Sequence, residues 1–415
     1  MEKQIDVIGI GAVNYDYMFF CKRTEYNSSN LPEVGQEYLN VERTAILEDI
    51  DKLLYTTEHT YQICGSSLFA LRTIHAIDSK LKLSYVGVCG KPTDRELKAG
   101  FSVNVHQEFD FLENQDWLFF DEGEPGISLI RMYKGTRNWI DITQGVNSKL
   151  ESYIRKKEEE EGESFVDFLG RARWIHLSSL ADFQQFEFIV KKIREVKLLN
   201  PLIKFSVDPG YEYTKVHKKE LREVFSIADY VFLNSNEVTN LVGDANLSES
   251  TKYNELSAIF NNYGMSNSQV IIIKKPAKHT IASFENGQLL VSNYWHKKLL
   301  KRKIINDTGA GDAFAGGFIA SMLSSRLVAR QPFPIRLGAI AAASRLKCYS
   351  NPFTTISNET NAYINKIHKR ERNNIEQKVF LTIEDLKKQI PSFIMGIITG
   401  IIASLFVWWI QSLVN

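Results

Sequence analysis

Short apolar runs alternate along most of the chain with segments of helical period, and several of these runs end in a polar or glycine-bearing turn. The runs are 5–11, 83–90, 174–179, 202–207, 230–233 and 270–274. Continuous apolar, β-branched runs are typical of strands buried on both faces of a parallel sheet. Residues 183–199 have a helical period between two such runs, which predicts a βαβ unit. The pattern therefore predicts an α/β fold with a doubly wound, Rossmann-like, mostly parallel sheet.

The stretch 306–318 is polar and glycine-bearing at its start and continues as small and apolar residues at helical spacing. Gly309, Ala310 and Gly311 carry almost no side chain, so their backbone N–H groups can close on an anion at the start of a helix. Asp312 follows directly, where a carboxylate can accept the proton of an attacking hydroxyl. The alternative is a glycine loop with an aspartate N-cap, and the local spacing alone favours neither.

The segment 392–415 contains no charged residue and is apolar over a length that can cross a hydrocarbon core. It predicts a single-pass transmembrane helix, with a buried helix of the globular domain as the alternative. Three lysines precede the segment and no Lys or Arg follows it, which predicts that the preceding domain is cytoplasmic. Gly396, Gly400 and Ser404 would lie on one face of this helix, a spacing that suggests a homodimer.

Composition narrows the functional classes. The 415 residues carry a formal net charge of +1, so no general basic field indicates a nucleic-acid partner. The four cysteines are widely spaced without a CxxC pair, which argues against a zinc site and fits a reducing compartment. The N-terminus has no apolar stretch behind a basic start, so no secretory signal is expected.

With these motifs in view, the chain resembles the ribokinase-like (PfkB-type) carbohydrate and nucleoside kinases. In that family, Asp-Thr-x-Gly-Ala-Gly-Asp forms the anion hole and supplies the catalytic base, and residues 309–312 match it in order. Asn306 stands where the family usually has Asp, and Asp307 where it usually has Thr. The first departure bears on the monovalent-cation site that many members build nearby.

The resemblance extends to the acceptor side of the site. Asn14 and Asp16 resemble the family's opening Asn-x-Asp, whose Asp holds sugar hydroxyls, and they alternate onto one face of an extended segment. Gly65 lies in the segment that corresponds to Gly-Gly-x-x-x-Asn at the sugar site. There Cys64 replaces a glycine and Phe69 replaces the Asn, which implies a less polar substrate than ribose.

Asn234 and Glu237 follow a predicted strand and resemble the family's Asn-x-x-Glu, which organises Mg²⁺ and the ATP phosphates largely through water. Asp208 ends another predicted strand, at the edge where open α/β sheets bind ligands. Pro276 and His279 replace the family's glycines near the nucleotide, which implies altered adenine recognition.

The resemblance, which covers about residues 4–352, implies a kinase domain at 1–352 with small β-lid segments at about 18–61 and 110–145. The composition of the rest of the chain predicts a polar helical connector at 353–391 and the membrane segment 392–415. The implied reaction is ATP-dependent phosphoryl transfer to a primary hydroxyl of a sugar or nucleoside at the cytosolic face of a membrane, with Asp312 as base. A membrane-tethered nucleotide or nucleoside sensor with little turnover is the alternative. A structural adaptor with a vestigial site is a third class, disfavoured by the intact Asp312 and its glycines.

Overall fold

The computed structural model describes residues 4–21, 36–133, 136–180, 182–243, 255, 270–275, 280–285, 288–292, 304–324, 333–348, 351–367 and 369. The chain divides into two compact units, Met1–Thr360 and Asn361–Asn415. The predicted domain boundary at residue 352 falls inside the first unit. In the second unit, the described residues 361–367 are helical.

A nine-stranded sheet forms the centre of the first unit. Its order is β14-β13-β12-β11-β10-β9-β1-β5-β6, and neighbouring strands are parallel except for the pairs that β13 makes with β12 and β14. The strands are β1 (Ile5–Ile10), β5 (Leu83–Gly90), β6 (Leu118–Asp121), β9 (Ala172–Ser178), β10 (Lys204–Asp208), β11 (Tyr230–Asn234), β12 (Val270–Lys275), β13 (Thr280–Glu285) and β14 (Gln288–Ser292). The prediction of an α/β fold with a mostly parallel sheet is confirmed.

A second sheet of five strands has the order β3-β8-β7-β2-β4. Its strands are β2 (Asn14–Cys21), β3 (Gln36–Tyr38), β4 (His59–Cys64), β7 (Gly126–Tyr133) and β8 (Thr136–Thr143). Strand β2 follows β1 after a short turn, so the chain passes directly from the central sheet into the smaller one.

The helices of the first unit include α1 (Arg43–Leu54), α2 (Ser66–Ile77), α3 (Asp94–Ala99), α4 (Leu150–Glu161), α5 (Phe165–Gly170), α6 (Phe183–Leu199), α7 (Tyr211–Val216), α8 (Leu221–Ile227), α9 (Ser235–Val242), α10 (Ala310–Leu323) and α11 (Phe333–Arg345). Two 3₁₀ turns cover Val105–Phe109 and Gly145–Lys149, and residues 353–360 are also helical.

The main core lies between the central sheet and its helices. All eight residues of β5 are buried, as expected for a strand covered on both faces. Helix α6 begins at an N-cap in which the Asp182 side chain accepts a hydrogen bond from the Gln185 N–H at 2.9 Å, and it buries Phe186, Ile189 and Ile193 against the sheet. The βαβ unit read from the sequence is therefore present.

The predicted transmembrane segment 392–415 lies outside the described residues, as do Pro276, His279 and the lysines that precede the segment. Among the residues that are described, no helix is both long enough and apolar enough to span a bilayer.

Candidate active site

A cleft runs between the five-stranded sheet and the carboxyl edge of the central sheet. Five of the residues predicted from the sequence line it together: Asn14, Asp16, Gly65, Gly309 and Asp312. The acceptor-side residues from the first strands and the anion-hole residues from the start of α10 therefore share one cavity, although almost 300 positions separate them along the chain.

Asn14 is held by two neighbours in a buried polar group. Its Oδ1 accepts a hydrogen bond from Asn147 Nδ2 at 2.8 Å, and its Nδ2 donates to Ser128 Oγ at 3.1 Å. Asn147 in turn bonds the backbone of Val13 in both directions, at 2.9 and 3.0 Å. The amide of Asn14 is thus fixed in orientation before any substrate arrives.

Asp16 lies two residues further along β2, on the same face of the strand, and is buried. Gln62 Nε2 donates to its Oδ2 at 3.3 Å. Burial raises the pKa of Asp16 to about 7, because loss of water disfavours the carboxylate more than Gln62, Ser128 and the nearby arginines favour it. Asp16 therefore changes charge near neutral pH.

Gly65 stands at the start of α2, where two parts of the backbone meet. Its φ is +148°, and a Cβ at this position would lie 1.9 Å from the carbonyl oxygen of Ala12. No other residue can adopt this conformation against that carbonyl without moving one of the two segments. Gly65 thus allows α2 to begin directly beside the turn that leads to Asn14.

The loop before α10 is fixed by hydrogen bonds to both the N–H and the carbonyl of Thr308. Asn306 Oδ1 accepts from the Thr308 N–H at 2.9 Å, and the Thr308 carbonyl accepts from Arg345 Nε at 2.7 Å. Gly309 then takes a φ of +77°, in the left-handed region that glycine occupies without strain. Asn306 thus keeps the turn that an Asp would make there but carries no charge.

The three predicted anion-hole amides are not equivalent. The N–H of Ala310 donates to the Asp307 carbonyl at 3.2 Å and so closes a turn. Gly311 and Asp312 belong to the first turn of α10, where backbone N–H groups point out of the helix towards its start. The helix start also carries partial positive charge. These amides can hold an anion next to the Asp312 carboxylate.

The Phe69 ring supports the same loop by packing on its backbone. A Cβ on Gly309 would lie 3.1 Å from the Phe69 ring, so the ring packs directly on the backbone of the loop. The ring is also 5.1 Å from that of Phe353, centroid to centroid, and the Arg345 guanidinium lies 5.7 Å from its centroid. The sequence predicted only an effect of Phe69 on substrate polarity; it lines the cleft and also backs Gly309.

Asn234 and Glu237 form a capping box at the start of α9. Asn234 Oδ1 accepts from the N–H groups of Asn236 and Glu237 at 2.9 and 3.0 Å. The Glu237 carboxylate accepts from the Asn234 N–H at 2.7 Å and from its Nδ2 at 2.6 Å. Both side chains therefore have a structural task that the sequence interpretation did not include.

Asp208, Asn234 and Glu237 lie at the carboxyl ends of β10 and β11 but are not among the residues that line the cleft. Both Glu237 oxygens accept hydrogen bonds within the cap, so a direct bond to Mg²⁺ would compete with it, whereas a contact through water would not. In the described part of the chain, no three His, Cys, Asp or Glu side chains are grouped as a metal site. The residues fit an indirect Mg²⁺ contact.

Several cleft residues had not been picked out from the sequence: Gln62, Ser128, Asn147 and, behind the loop, Arg345. Gln62, Ser128 and Asn147 reach Asn14 or Asp16 through strand pairing and a 3₁₀ turn distant in sequence, so no local pattern marks them. Arg345 did leave a signal, because it is a charged residue at the end of the alanine-rich run of α11, and a charge beside a buried apolar run needs a partner.

Comparison with known proteins relates the chain to one family of kinases. Residues 144–347 match the family described as pfkB family carbohydrate kinase. Adenosine kinase of Schizosaccharomyces pombe is 31% identical over 108 residues, which are 25% of this chain but only 31% of the yeast protein.

Solved kinases share the fold. Adenosine kinase from Schistosoma mansoni in complex with 2-fluoroadenosine matches with a TM-score of 0.64 at 18% identity, over 84% of this chain and 97% of that one. A probable sugar kinase from Rhizobium etli matches with a TM-score of 0.64 at 15% identity, over 87% and 99%. Ribokinase from Giardia lamblia matches with 0.61 at 16% identity, over 86% and 99%. Together with the family match, this supports the prediction of a carbohydrate or nucleoside kinase.

Proposed function

We propose that the protein transfers the γ-phosphoryl group of ATP to a primary hydroxyl of a nucleoside or sugar, as the match of residues 144–347 to the pfkB family of carbohydrate kinases suggests. One observation carries the proposal: Asn14 and Asp16 face the same cleft as Gly309 and Asp312. An acceptor held by the first pair has its hydroxyl within the cavity that also contains a carboxylate base and the start of a helix.

Each residue then has a chemical task. Asp312 accepts the proton of the attacking hydroxyl, and the amides in the first turn of α10 stabilise the negative charge that develops on the phosphoryl oxygens. Asn14 and Asp16 orient the acceptor through its other hydroxyls. When bound, ATP would supply the phosphoryl group and Mg²⁺ would neutralise its phosphates; Asn234, Glu237 and Asp208 at the sheet edge would hold the ion through water.

The cleft favours a nucleoside over a free sugar. Gln62, Ser128 and Asn147 surround Asn14 and Asp16 with polar groups, and five aliphatic side chains also line the cleft. The aliphatic set is Leu39, Ile130, Ile140, Ile142 and Leu180. A ribose with its hydroxyls on the polar side and a flat base on the aliphatic side matches this division. A neighbour in fold holds 2-fluoroadenosine, which supports the same choice.

A sensor with little turnover is the second candidate. The observation in its favour is the capping box, which already engages two side chains expected to serve the nucleotide. Such a sensor would bind a nucleoside or ATP but release little ADP.

We also propose that residues 392–415 anchor the protein in a membrane, on the strength of their composition.

Thermal-shift screening of the protein against nucleosides, sugars and ATP, followed by measurement of ADP release, tests the proposal. Asp312→Asn should lower turnover by about 10²–10⁴-fold, because the amide keeps the shape but accepts no proton, while ATP still raises the melting temperature. Asp110→Asn, the same change at an exposed position, is the matched control. Wild-type turnover in a folded Asp312→Asn protein would exclude the mechanism. Ligand binding without ADP release would favour the sensor.

A further inference from the structure

We infer that Arg345 is a positioning residue for the anion hole: its guanidinium is a built-in cation that fixes the loop before α10, so that phosphoryl transfer needs no added monovalent cation. The inference rests on the proposed function, because it concerns the same anion hole. It is carried by a charged side chain that is buried behind the loop and bonded to it.

Arg345 is fully buried, at 0% exposure, near the end of α11. Its Nε donates to the Thr308 carbonyl at 2.7 Å, and its Nη1 donates to the Cys348 carbonyl at 2.9 Å. Burying a guanidinium costs several kcal/mol unless its surroundings compensate for the lost water. Burial of this charge therefore costs free energy, and the residue that the charged side chain fixes is Thr308, directly before Gly309.

The bond to Thr308 sets the direction of the next amide. The carbonyl of Thr308 and the N–H of Gly309 belong to one planar trans peptide, so they point to opposite sides. With the carbonyl drawn towards Arg345, the Gly309 N–H points away from it. Since Gly309 lines the cleft, Arg345 acts on the anion site without touching its ligand.

Carbonyl oxygens are also the ligands that a hard cation such as K⁺ takes. Here the Arg345 guanidinium donates hydrogen bonds to two carbonyl oxygens, those of Thr308 and Cys348. The guanidinium remains charged at all working pH values. The neighbouring side chain is the neutral Asn306, whose Oδ1 is bonded to the Thr308 N–H. A carboxylate at position 306 would favour binding of a cation such as K⁺. The neutral amide of Asn306, with the buried Arg345 guanidinium nearby, instead fits a loop whose positive charge is supplied by the protein.

The test compares the wild type with Arg345→Met, Arg345→Lys and Arg336→Met in tetramethylammonium buffer with and without KCl. Arg336 is the other arginine of α11 and serves as the matched control. Two measurements are made: steady-state kinetics, which give kcat and KM with a nucleoside and ATP, and calorimetry, which gives the affinity for the non-hydrolysable ATP analogue AMP-PCP. Thermal unfolding of each variant shows whether it has folded.

Wild type and Arg336→Met should give the same kcat and AMP-PCP affinity with and without KCl, within about twofold. Arg345→Met should lose about 10- to 100-fold in kcat, as expected when a reacting group is displaced by a fraction of an ångström to 1 Å. Its AMP-PCP affinity should also fall, and its nucleoside KM should stay unchanged. Guanidinium chloride at millimolar concentration should restore part of the lost activity, and Arg345→Lys should fall in between.

Activation of the wild type by KCl of tenfold or more would overturn the inference, even if neither Arg345 variant folds. Wild-type kcat and AMP-PCP affinity in a folded Arg345→Met protein would overturn it too. If the wild type shows no turnover at all, the proposed function fails, and the AMP-PCP affinities alone then decide the role of Arg345.

Discussion

Asp16 is one of three carboxylates that line the cleft, together with Glu37 and Asp312, and its surroundings suit it to binding. It is buried against β4, and Gln62 already donates to it. In its ionised form it accepts hydrogen bonds from hydroxyls; in its protonated form it loses part of that capacity. Since burial raises its pKa to about 7, the balance between these forms lies within the working pH range.

We predict that the KM for the acceptor falls as the pH rises through about 7, because Asp16 then becomes ionised. Between pH 6 and pH 8 the fall should approach about tenfold, the difference between a charged and a neutral hydrogen bond. Asp16→Asn should abolish this pH dependence and keep the KM high at pH 8. The measurement is acceptor KM against pH. An equal change in the KM for ATP would contradict the assignment of Asp16 to the acceptor.

For single residues, the sequence identified those that belong to a local motif. It missed residues that reach the site only through pairing of segments distant in sequence. Asn14 and Asp16 alternate along one strand, so their common face follows from the strand period. Ser128 and Asn147 reach the same place only because β7 pairs with β2 and a 3₁₀ turn follows β8. The local motif at 234–237 indicated nucleotide chemistry, and the structure adds a helix cap that uses the same atoms.

Helix α2 is the element that brings the two halves of the cleft together. Its N-cap is Gly65, beside the turn that follows β1. Its Ser67 bonds to the end of β9: the Ser67 N–H donates to Ser178 Oγ at 3.1 Å, and Ser67 Oγ donates to the His176 carbonyl at 3.2 Å. One helical turn after Gly65, the Phe69 ring packs on the backbone of Gly309. The start of α2 therefore determines the separation of the acceptor side from the anion hole.

Gly65→Ala should destabilise the protein by about 3 kcal/mol or more, because the new Cβ would overlap the Ala12 carbonyl and force two backbone segments apart. Gly170→Ala is the matched control, since a Cβ at Gly170 meets no atom within 4 Å. It should be neutral or stabilising by up to about 1 kcal/mol. Urea unfolding of the two variants measures the difference. Equal stabilities would show that the backbone at Gly65 adapts.

The capping box of α9 allows its structural and chemical tasks to be separated. Glu237→Gln should keep the backbone bond of the cap, because the glutamine oxygen can still accept from the Asn234 N–H, although the bond from Asn234 Nδ2 is lost. It removes the negative charge, however, so the concentration of Mg²⁺ required for half-maximal turnover should rise. Asn234→Ala should instead lower stability by about 1–2 kcal/mol. An unchanged Mg²⁺ requirement in Glu237→Gln would restrict Glu237 to the cap.

For the molecule as a whole, the order of predicted elements indicated the central sheet, and the resemblance indicated two β-lid segments, in which most of the smaller sheet lies, but not how its strands pair. Parallel strands joined by helices follow from alternating apolar runs, and the right-handed crossover rule limits their arrangement. The five-stranded sheet depends on pairings between distant segments, such as β3 with β8 and β4 with β2. Those pairings depend on packing, for which short strands give no periodic signal.

The predicted membrane segment concerns the whole chain, because it would restrict a kinase to a surface. Residues 393–414 as a helix would extend roughly 33 Å, enough to cross a hydrocarbon core of about 30 Å. Trp408 and Trp409 lie near one end, where aromatic rings favour the interface. The full chain should therefore remain in the pellet after alkaline carbonate extraction, and a chain truncated at Ile390 should be released. If carbonate releases the full chain, the segment packs within protein and the kinase is not held at a membrane by it.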